Sequence, residues 1–195
     1  MRSRRVTPLL VFAAMIVAAF TVPAAASAGE WTEYDEEGPP VPLQQSMDLE
    51  FQGSTEVSEE GGFSYRCDDV SGQLSVEPGS QGGITDIEYS ECVGQGGFSG
   101  LTFVVTPNDL PWAVEAGDAS IGTDEVSVDI VAYYTYQFPY GNAVADWNNV
   151  QSTWNLVVDD PWAVSALELD GYNESAWKPE YGYFDVSPAG ILGIS

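Results

Sequence analysis

One stretch decides the fold: residues 126–140 read VSVDIVAYYTYQFPY. Apolar and aromatic residues recur there at every second position, with Val131 and Tyr133 as the exceptions. A period of two predicts a β-strand with one buried face. On that face we expect Val126, Val128, Ile130, Ala132, Tyr134, Tyr136, Phe138 and Tyr140. Because these 15 residues exceed the usual length of a strand, a bend or two consecutive strands are expected.

Similar alternation is found on both sides of this stretch. Turn-forming residues at 77–83, 94–97 and 107–111 separate the alternating segments. No helical period is sustained, and a short helix is considered only for residues 144–150. The other predicted strands are 47–52, 63–76, 84–92, 101–106, 112–116, 153–158 and 181–186. The pattern predicts an all-β fold, either an antiparallel β-sandwich or a partly closed barrel.

The chain contains two cysteines, Cys67 and Cys92. An even count in an exported chain is typical of a disulfide. A hairpin over residues 63–92 would bring both cysteines together, since disulfide geometry requires Cα atoms within about 7 Å. We therefore predict one disulfide, with two unpaired buried thiols as the alternative.

The first residues have the composition of an export signal. Arg2, Arg4 and Arg5 precede an apolar segment from Leu9 to Phe20, and 26–28 read Ala-Ser-Ala. These features predict a signal peptide over residues 1–28 and therefore a secreted or loosely envelope-associated protein. The apolar segment of this peptide is too short to span a membrane. Residues 29–46 are acidic and rich in proline, which predicts an extended or disordered leader. Residues 47–195 are expected to form a single β domain without a membrane span.

Charge and composition exclude several functions. The chain has 30 acidic residues, 5 basic residues and no histidine. Histidine-dependent triads and histidine-ligated zinc sites are therefore impossible. Nucleic acid is an improbable partner because phosphate binding requires clustered Lys and Arg. After signal removal only Arg66 and Lys178 remain as bases, and the acidic surface fits simple solubility, bound calcium or a high-salt habitat.

Calcium is the one cofactor that the acids suggest. Calcium takes six to eight oxygen ligands, which carboxylates in turns can supply. The segment 168–174 fails as an EF-hand loop, because a loop placed on Gly171 would put Trp177 at the position of the bidentate acid. The remaining candidate calcium ligands are Asp68, Asp69, Asp159 and Asp160, and the alternative is that they are solvated turn acids, which are common for local hydrogen-bonding reasons.

Aromatic residues suggest a second kind of site. Flat rings suit the apolar face of a pyranose, and neighbouring acids can accept hydrogen bonds from sugar hydroxyls. The candidates for such a platform lie in polar segments or on the polar face of a strand. They are Tyr133, Trp147, Tyr172 and Trp177. The partner predicted for this platform is a cell-wall or extracellular polysaccharide.

Part of the chain resembles a family of uncharacterised secreted proteins, mostly actinobacterial, with a two-cysteine β hairpin and a Leu-Pro-Trp motif. The resemblance covers about residues 63–116. The matching positions are Cys67, Val70 to Leu74, Gly83 to Thr85, Cys92 and Leu110 to Trp112. The resemblance implies no activity and transfers no catalytic residue.

Three hypotheses about function follow. The first is a noncatalytic extracellular or envelope-associated β module, either structural or glycan-binding. The second is a calcium-stabilised surface protein. The third is a glycoside hydrolase that uses two carboxylates, which would have to face each other about 5–10 Å apart in a cleft.

Overall fold

The computed structural model describes residues 29–34, 39–57, 64–135, 143–173 and 178–195. Most of these residues lie in β-strands, and a short 3-10 turn occupies Gly96–Phe98. The strands are β1 (Trp31–Glu33), β2 (Val41–Pro42), β3 (Met47–Val57), β4 (Tyr65–Val76), β5 (Gln81–Gly94), β6 (Leu101–Pro107), β7 (Trp112–Ala116), β8 (Ser120–Tyr134), β9 (Ala143–Val158), β10 (Ala166–Asn173), β11 (Lys178–Ser187) and β12 (Leu192–Ile194). No helix in these residues is long and apolar enough to cross a bilayer.

Strands β3 to β11 form a closed antiparallel barrel of 8 strands. Apart from β6 and β7, consecutive strands of the barrel pair with each other, and β11 returns to pair with β3. Strands β6 and β7 share one position between β5 and β8, separated by the link 108–111. The prediction of an antiparallel all-β fold is confirmed, and the barrel is closed rather than partly open.

The predicted hairpin and disulfide are both present. Strands β4 and β5 pair along their length, and Cys67 lies directly opposite Cys92. Their Cα atoms are 3.9 Å apart and their sulfur atoms are bonded. The disulfide therefore links two neighbouring strands of the barrel wall, where both residues are buried.

A small sheet of β2, β1 and β12 covers one end of the barrel. Trp31 of β1 is fully buried, and its indole N–H donates to the Gln81 carbonyl at 3.0 Å. Leu43, Leu192 and Ile194 join the same apolar core. The segment predicted as an extended or disordered leader thus contributes β1 and β2 to this sheet, where burial of apolar side chains offsets the local excess of acids and prolines.

The middle of the barrel is filled by aromatic side chains. Phe51 packs edge-on against Phe184, with ring centroids 5.3 Å apart, and Trp154 packs edge-on against Trp112 at 5.8 Å. Trp154 also lies against Phe184 at 6.4 Å. Leu74, Ile84, Leu156 and Leu167 complete this layer, which leaves no space for a water molecule. The core of the barrel is therefore packed solid at this level.

One expectation about the long β8 segment is wrong. Parity predicts Tyr134 in the core, yet 45% of its surface is exposed. The described ladder between β8 and β9 ends at Tyr133, so Tyr134, the last residue of β8, lies at the rim of the wall rather than in the packed core. The other aromatics of this face, at 136, 138 and 140, lie outside the described residues.

Residues 144–150 form strand rather than the short helix considered from the sequence. They belong to β9, where Trp147 pairs with Ile130 and Val150 pairs with Val128 of β8. Pairing with a long neighbouring strand overrides a weak local preference for helix. Alternation in the sequence predicts no strand at β10, whose inward face presents Leu167 and Leu169.

We expect Trp31→Ala to lower the free energy of unfolding by about 3–5 kcal/mol, because it leaves a large cavity at the covered end. Urea titration followed by circular dichroism measures this. Tyr34→Ala removes a ring from the same segment that is 37% exposed, and should change stability by about 0.5 kcal/mol or less. Equal effects of the two variants would show that the small sheet adds no stability.

Candidate functional site

Three exposed tyrosines lie together on the outer wall of the barrel. Tyr172 of β10 and Tyr181 and Tyr183 of β11 are 43%, 51% and 54% exposed. Alternation explains this, since Gly182 and Phe184 occupy the opposite parity of β11 and Phe184 is in the core. We call Tyr172, Tyr181 and Tyr183 the tyrosine surface.

Carboxylates alternate with these rings across the strands. Tyr181 lies between Asp170 of β10 and Glu56 of β3 in the register. Tyr183 lies opposite Glu168 of β10. Directly opposed side chains in a sheet are about 5 Å apart, so Tyr181 and Tyr183 each have a carboxylate acceptor beside the ring. The tyrosine surface therefore combines flat apolar faces with oxygen acceptors.

The predicted platform residues separate into different places. Tyr172 belongs to the tyrosine surface. Trp147 is half-buried, and its ring stacks on Phe103 at 6.4 Å, which in turn stacks on Tyr65 at 5.2 Å. Tyr133 is half-buried on β8. Trp177 lies outside the described residues.

Sequence reasoning missed Tyr181 and Tyr183 as candidate binding residues. The signal was present, because Tyr181, Tyr183 and Asp185 share one parity of β11, while Phe184 and Val186 share the other. An aromatic residue in phase with an acid on a half-buried strand is expected to face solvent.

A groove of about 590 Å³ lies on the outer wall over β7, β8 and β9. Gly122 lies within it, and Glu115, Asp124, Thr153 and Asn155 are among the residues around it. A Cβ atom added to Gly122 would meet nothing within 4 Å, so the absent side chain leaves this part of the groove open.

The first predicted pair of calcium ligands already has protein partners. Asp68 forms an ion pair with Arg66. Asp69 accepts a hydrogen bond from the Ser90 hydroxyl at 3.0 Å and one from the Gln52 amide at 3.3 Å. In the part of the chain that the structure describes, no group of three or more acidic or cysteine side chains is arranged to hold a metal ion.

The second pair organises the connection between β9 and β10. Asp159 Oδ1 accepts hydrogen bonds from the backbone N–H groups of Ser165 and Ala166, both at 2.9 Å, and its Oδ2 accepts one from the Ser165 hydroxyl. Burial opposes the charged form, but the Ser165 hydroxyl and the backbone N–H groups outweigh it and lower the pKa of Asp159 to about 2. Asp160 accepts a hydrogen bond from the Trp162 N–H. Calcium binding at these four residues stays a prediction.

One acid lies inside the barrel. Glu180 is only 4% exposed, and its Oε2 accepts a hydrogen bond from the Trp154 indole at 3.1 Å. Burial raises the pKa of Glu180, although hydrogen bonds from Trp154 and Ser152 partly oppose this. Burial also raises the pKa of Tyr65 and Tyr89, and the nearby charge of Glu180 raises both further. The sequence does not single out Glu180 among 30 acids.

Comparisons of this chain with protein-family models, with curated proteins and with solved structures give no match. The resemblance to secreted actinobacterial proteins therefore stays a prediction. Any function must be argued from the tyrosine surface, the groove and the charges themselves.

Asp159→Asn should lower the free energy of unfolding at neutral pH, because the charged acceptor of three hydrogen bonds is lost. A carboxyl whose pKa is lowered in the folded state stabilises the fold above its unfolded pKa, and this contribution is lost as the pH falls through about 2. The difference from the wild type should therefore shrink as the pH falls from 7 to 3 in urea titrations. Asp48→Asn, which removes an exposed carboxylate, is the control. If the stability difference between Asp159→Asn and the wild type did not change with pH, the lowered pKa of Asp159 would be contradicted.

Glu180→Gln should raise the free energy of unfolding at pH 8. A carboxyl with a raised folded pKa stabilises the fold fully only below its unfolded pKa, so the wild type loses stability as the pH rises. The gain of the glutamine variant should therefore shrink as the pH falls from 8 to 5. Glu50→Gln tests the removal of an exposed acid. A variant less stable than the wild type at both pH values would show that Glu180 stabilises the fold as a charged group.

Proposed function

We propose that this chain is an exported, noncatalytic β-barrel module that binds extracellular or cell-wall glycans through the tyrosine surface. The observation that supports it is the placement of Tyr172, Tyr181 and Tyr183 on one outer face of adjacent strands, each substantially exposed. Exposed rings on a rigid sheet can stack on sugars without a cost in ordering the protein. Stacked aromatic rings are a frequent source of binding free energy.

The charge of the protein narrows the class of glycan. Glu56 and Asp170 lie opposite Tyr181, and Glu168 lies opposite Tyr183. A polymer of uronic acids or phosphates would be repelled by these carboxylates and by the net charge of −25. Neutral and amino-bearing glycans match the surface, because their hydroxyl and ammonium groups donate hydrogen bonds to carboxylates.

Binding is favoured over glycoside hydrolysis by the position of the acids. Carboxylate-dependent hydrolysis needs an acid with a raised pKa held against the substrate. Among the described carboxyl groups, the one whose pKa is clearly raised is Glu180, which lies inside the barrel behind the wall that carries the tyrosines. Export is supported by the sequence of residues 1–28 and by the disulfide, which is typical of oxidising compartments.

The experiment compares the wild type with the triple variant Tyr172→Ala, Tyr181→Ala, Tyr183→Ala in pull-downs on insoluble chitin, cellulose and bacterial cell walls. We expect retention of the wild type and a loss in affinity of at least about tenfold in the variant, equivalent to about 1.4 kcal/mol. The three rings are exposed, so thermal unfolding should stay close to that of the wild type.

The control is the double variant Tyr34→Ala, Tyr134→Ala, which removes exposed rings outside the tyrosine surface. It should bind as the wild type does, with or without EDTA. Equal retention of all three proteins would place binding elsewhere, and a loss of retention caused by EDTA alone would favour the calcium hypothesis. If no polysaccharide retains the wild type, the glycan-binding proposal is wrong.

A further inference from the structure

The groove over β7 to β9 arises from an interruption in the sheet. Strand β7 pairs with β8 through Glu115 and Ala116, which lie opposite Gly122 and Ile121. Beyond this point the register of β8 with β9 shifts between Thr123 and Val126. There β7 and β8 diverge, and the Glu125 carboxylate accepts a hydrogen bond from the Ala113 backbone N–H at 3.0 Å. This carboxylate takes the place of the backbone carbonyl that would accept the N–H in a regular ladder. The groove is thus a fixed part of the wall.

The groove borders the tyrosine surface directly. Thr153, which lines the groove, is the register partner of Tyr172. Asn155, another lining residue, pairs with Gly122 on one side and with Asp170 on the other. Adjacent strands are about 4.8 Å apart, so β8 at Gly122 is about 10 Å from β10 at Asp170, two residues along the strand from Tyr172. An oligosaccharide of a few residues can therefore contact both features at once.

The groove has acidic chemistry of its own. Glu115 and Asp124 line it, and both side chains are exposed. The Glu115 carboxylate contacts only the Ser80 hydroxyl among the hydrogen bonds of the described residues, at a long 3.4 Å. Thr153 and Asn155 add neutral polar groups. A sugar in this groove would meet two carboxylates, which favours a sugar that bears a positive charge.

We propose that this groove is a second subsite of the tyrosine surface and holds an amino sugar of the same glycan chain, whose ammonium group faces Glu115 and Asp124. This inference rests on the proposed glycan binding, because the tyrosines hold the remainder of the chain. It specifies the preferred ligand as a glycan with free amino groups. The glycan must also be long enough to reach from the tyrosines to Gly122.

The test uses isothermal titration with three probes: the hexamer of β-1,4-linked glucosamine, its dimer, and the fully N-acetylated hexamer. At about pH 5.5 the amines are protonated and exposed carboxylates remain ionised. The wild type should bind the glucosamine hexamer about tenfold more tightly than the N-acetylated hexamer or the dimer, a difference equivalent to one well-formed subsite.

Two variants separate the shape of the groove from its charge. Gly122→Phe fills the groove, and the open space around the new side chain lets the strand keep its structure. It should bind the hexamers only as tightly as the dimer. The double variant Glu115→Gln, Asp124→Asn keeps the shape and should lose most of the preference for the glucosamine hexamer over the N-acetylated hexamer. Gly97→Phe adds the same bulk at an open position of the β5–β6 connection and should behave as the wild type.

Each outcome decides one part of the proposal. Binding of the hexamers by Gly122→Phe at wild-type affinity would show that the groove is not a subsite. Equal affinity of the wild type for both hexamers would exclude the amino sugar. If the triple tyrosine variant binds every probe as tightly as the wild type, the proposed function itself fails, whatever the groove variants do.

Discussion

The structure depends on the ladder that closes the barrel, in which β11 pairs with β3 from Glu180 opposite Val57 to Ser187 opposite Glu50. This ladder joins residues far apart in the sequence, so its formation costs more chain entropy than any hairpin in the meander. Two glycines permit it. A Cβ on Gly53 would collide with the Tyr183 carbonyl, and a Cβ on Gly182 would lie 2.6 Å from the Ser54 carbonyl. Without this seam, β3 and β11 would expose unpaired edges to other chains.

Closure also determines where a ligand can bind. A barrel of eight strands is just wide enough either to be filled by side chains or to hold one small ligand. Here Phe51, Trp112, Trp154 and Phe184 fill the middle, and the small sheet with Trp31 covers one end. Space for a ligand along the described wall is therefore found on its outer face, where the groove of about 590 Å³ lies beside the tyrosines.

The sequence predicted the parts of this fold that depend on local alternation. The strands around Cys67 and Cys92, the turn between them and the strand from Val126 all follow from a period of two. The order of Trp31 was not predictable in this way, because its burial requires the turn that contains Gly79 and the distant strand β12. The exposure of Tyr134 depends on its place at the end of β8, one position beyond the described ladder with β9, which the pattern of apolar residues does not reveal.

The candidate site likewise combines features that follow from local alternation with features that depend on strand pairing. Parity alone places Tyr181 and Tyr183 on the solvent side of β11, and the sequence contained that information. What it did not contain is the neighbour of each strand. Only the register brings Tyr172 beside Thr153 and Asn155 beside Gly122, and so joins a row of tyrosines to a groove three strands wide.

The excess of acids connects the stability of this barrel to its proposed ligand. Alternation sends nearly every carboxylate of the described strands outward, so like charges share the outer wall, as Asp170 and Glu56 do on the two strands that flank Tyr181. Such repulsion lowers stability, and the described ion pair of Arg66 with Asp68 offsets little of it. A cationic glycan bound across these strands would relieve the same repulsion. Part of its binding free energy would therefore come from the reduced repulsion among the protein's carboxylates and not from new contacts. For this reason the surface should discriminate by charge before it discriminates by the shape of the sugar.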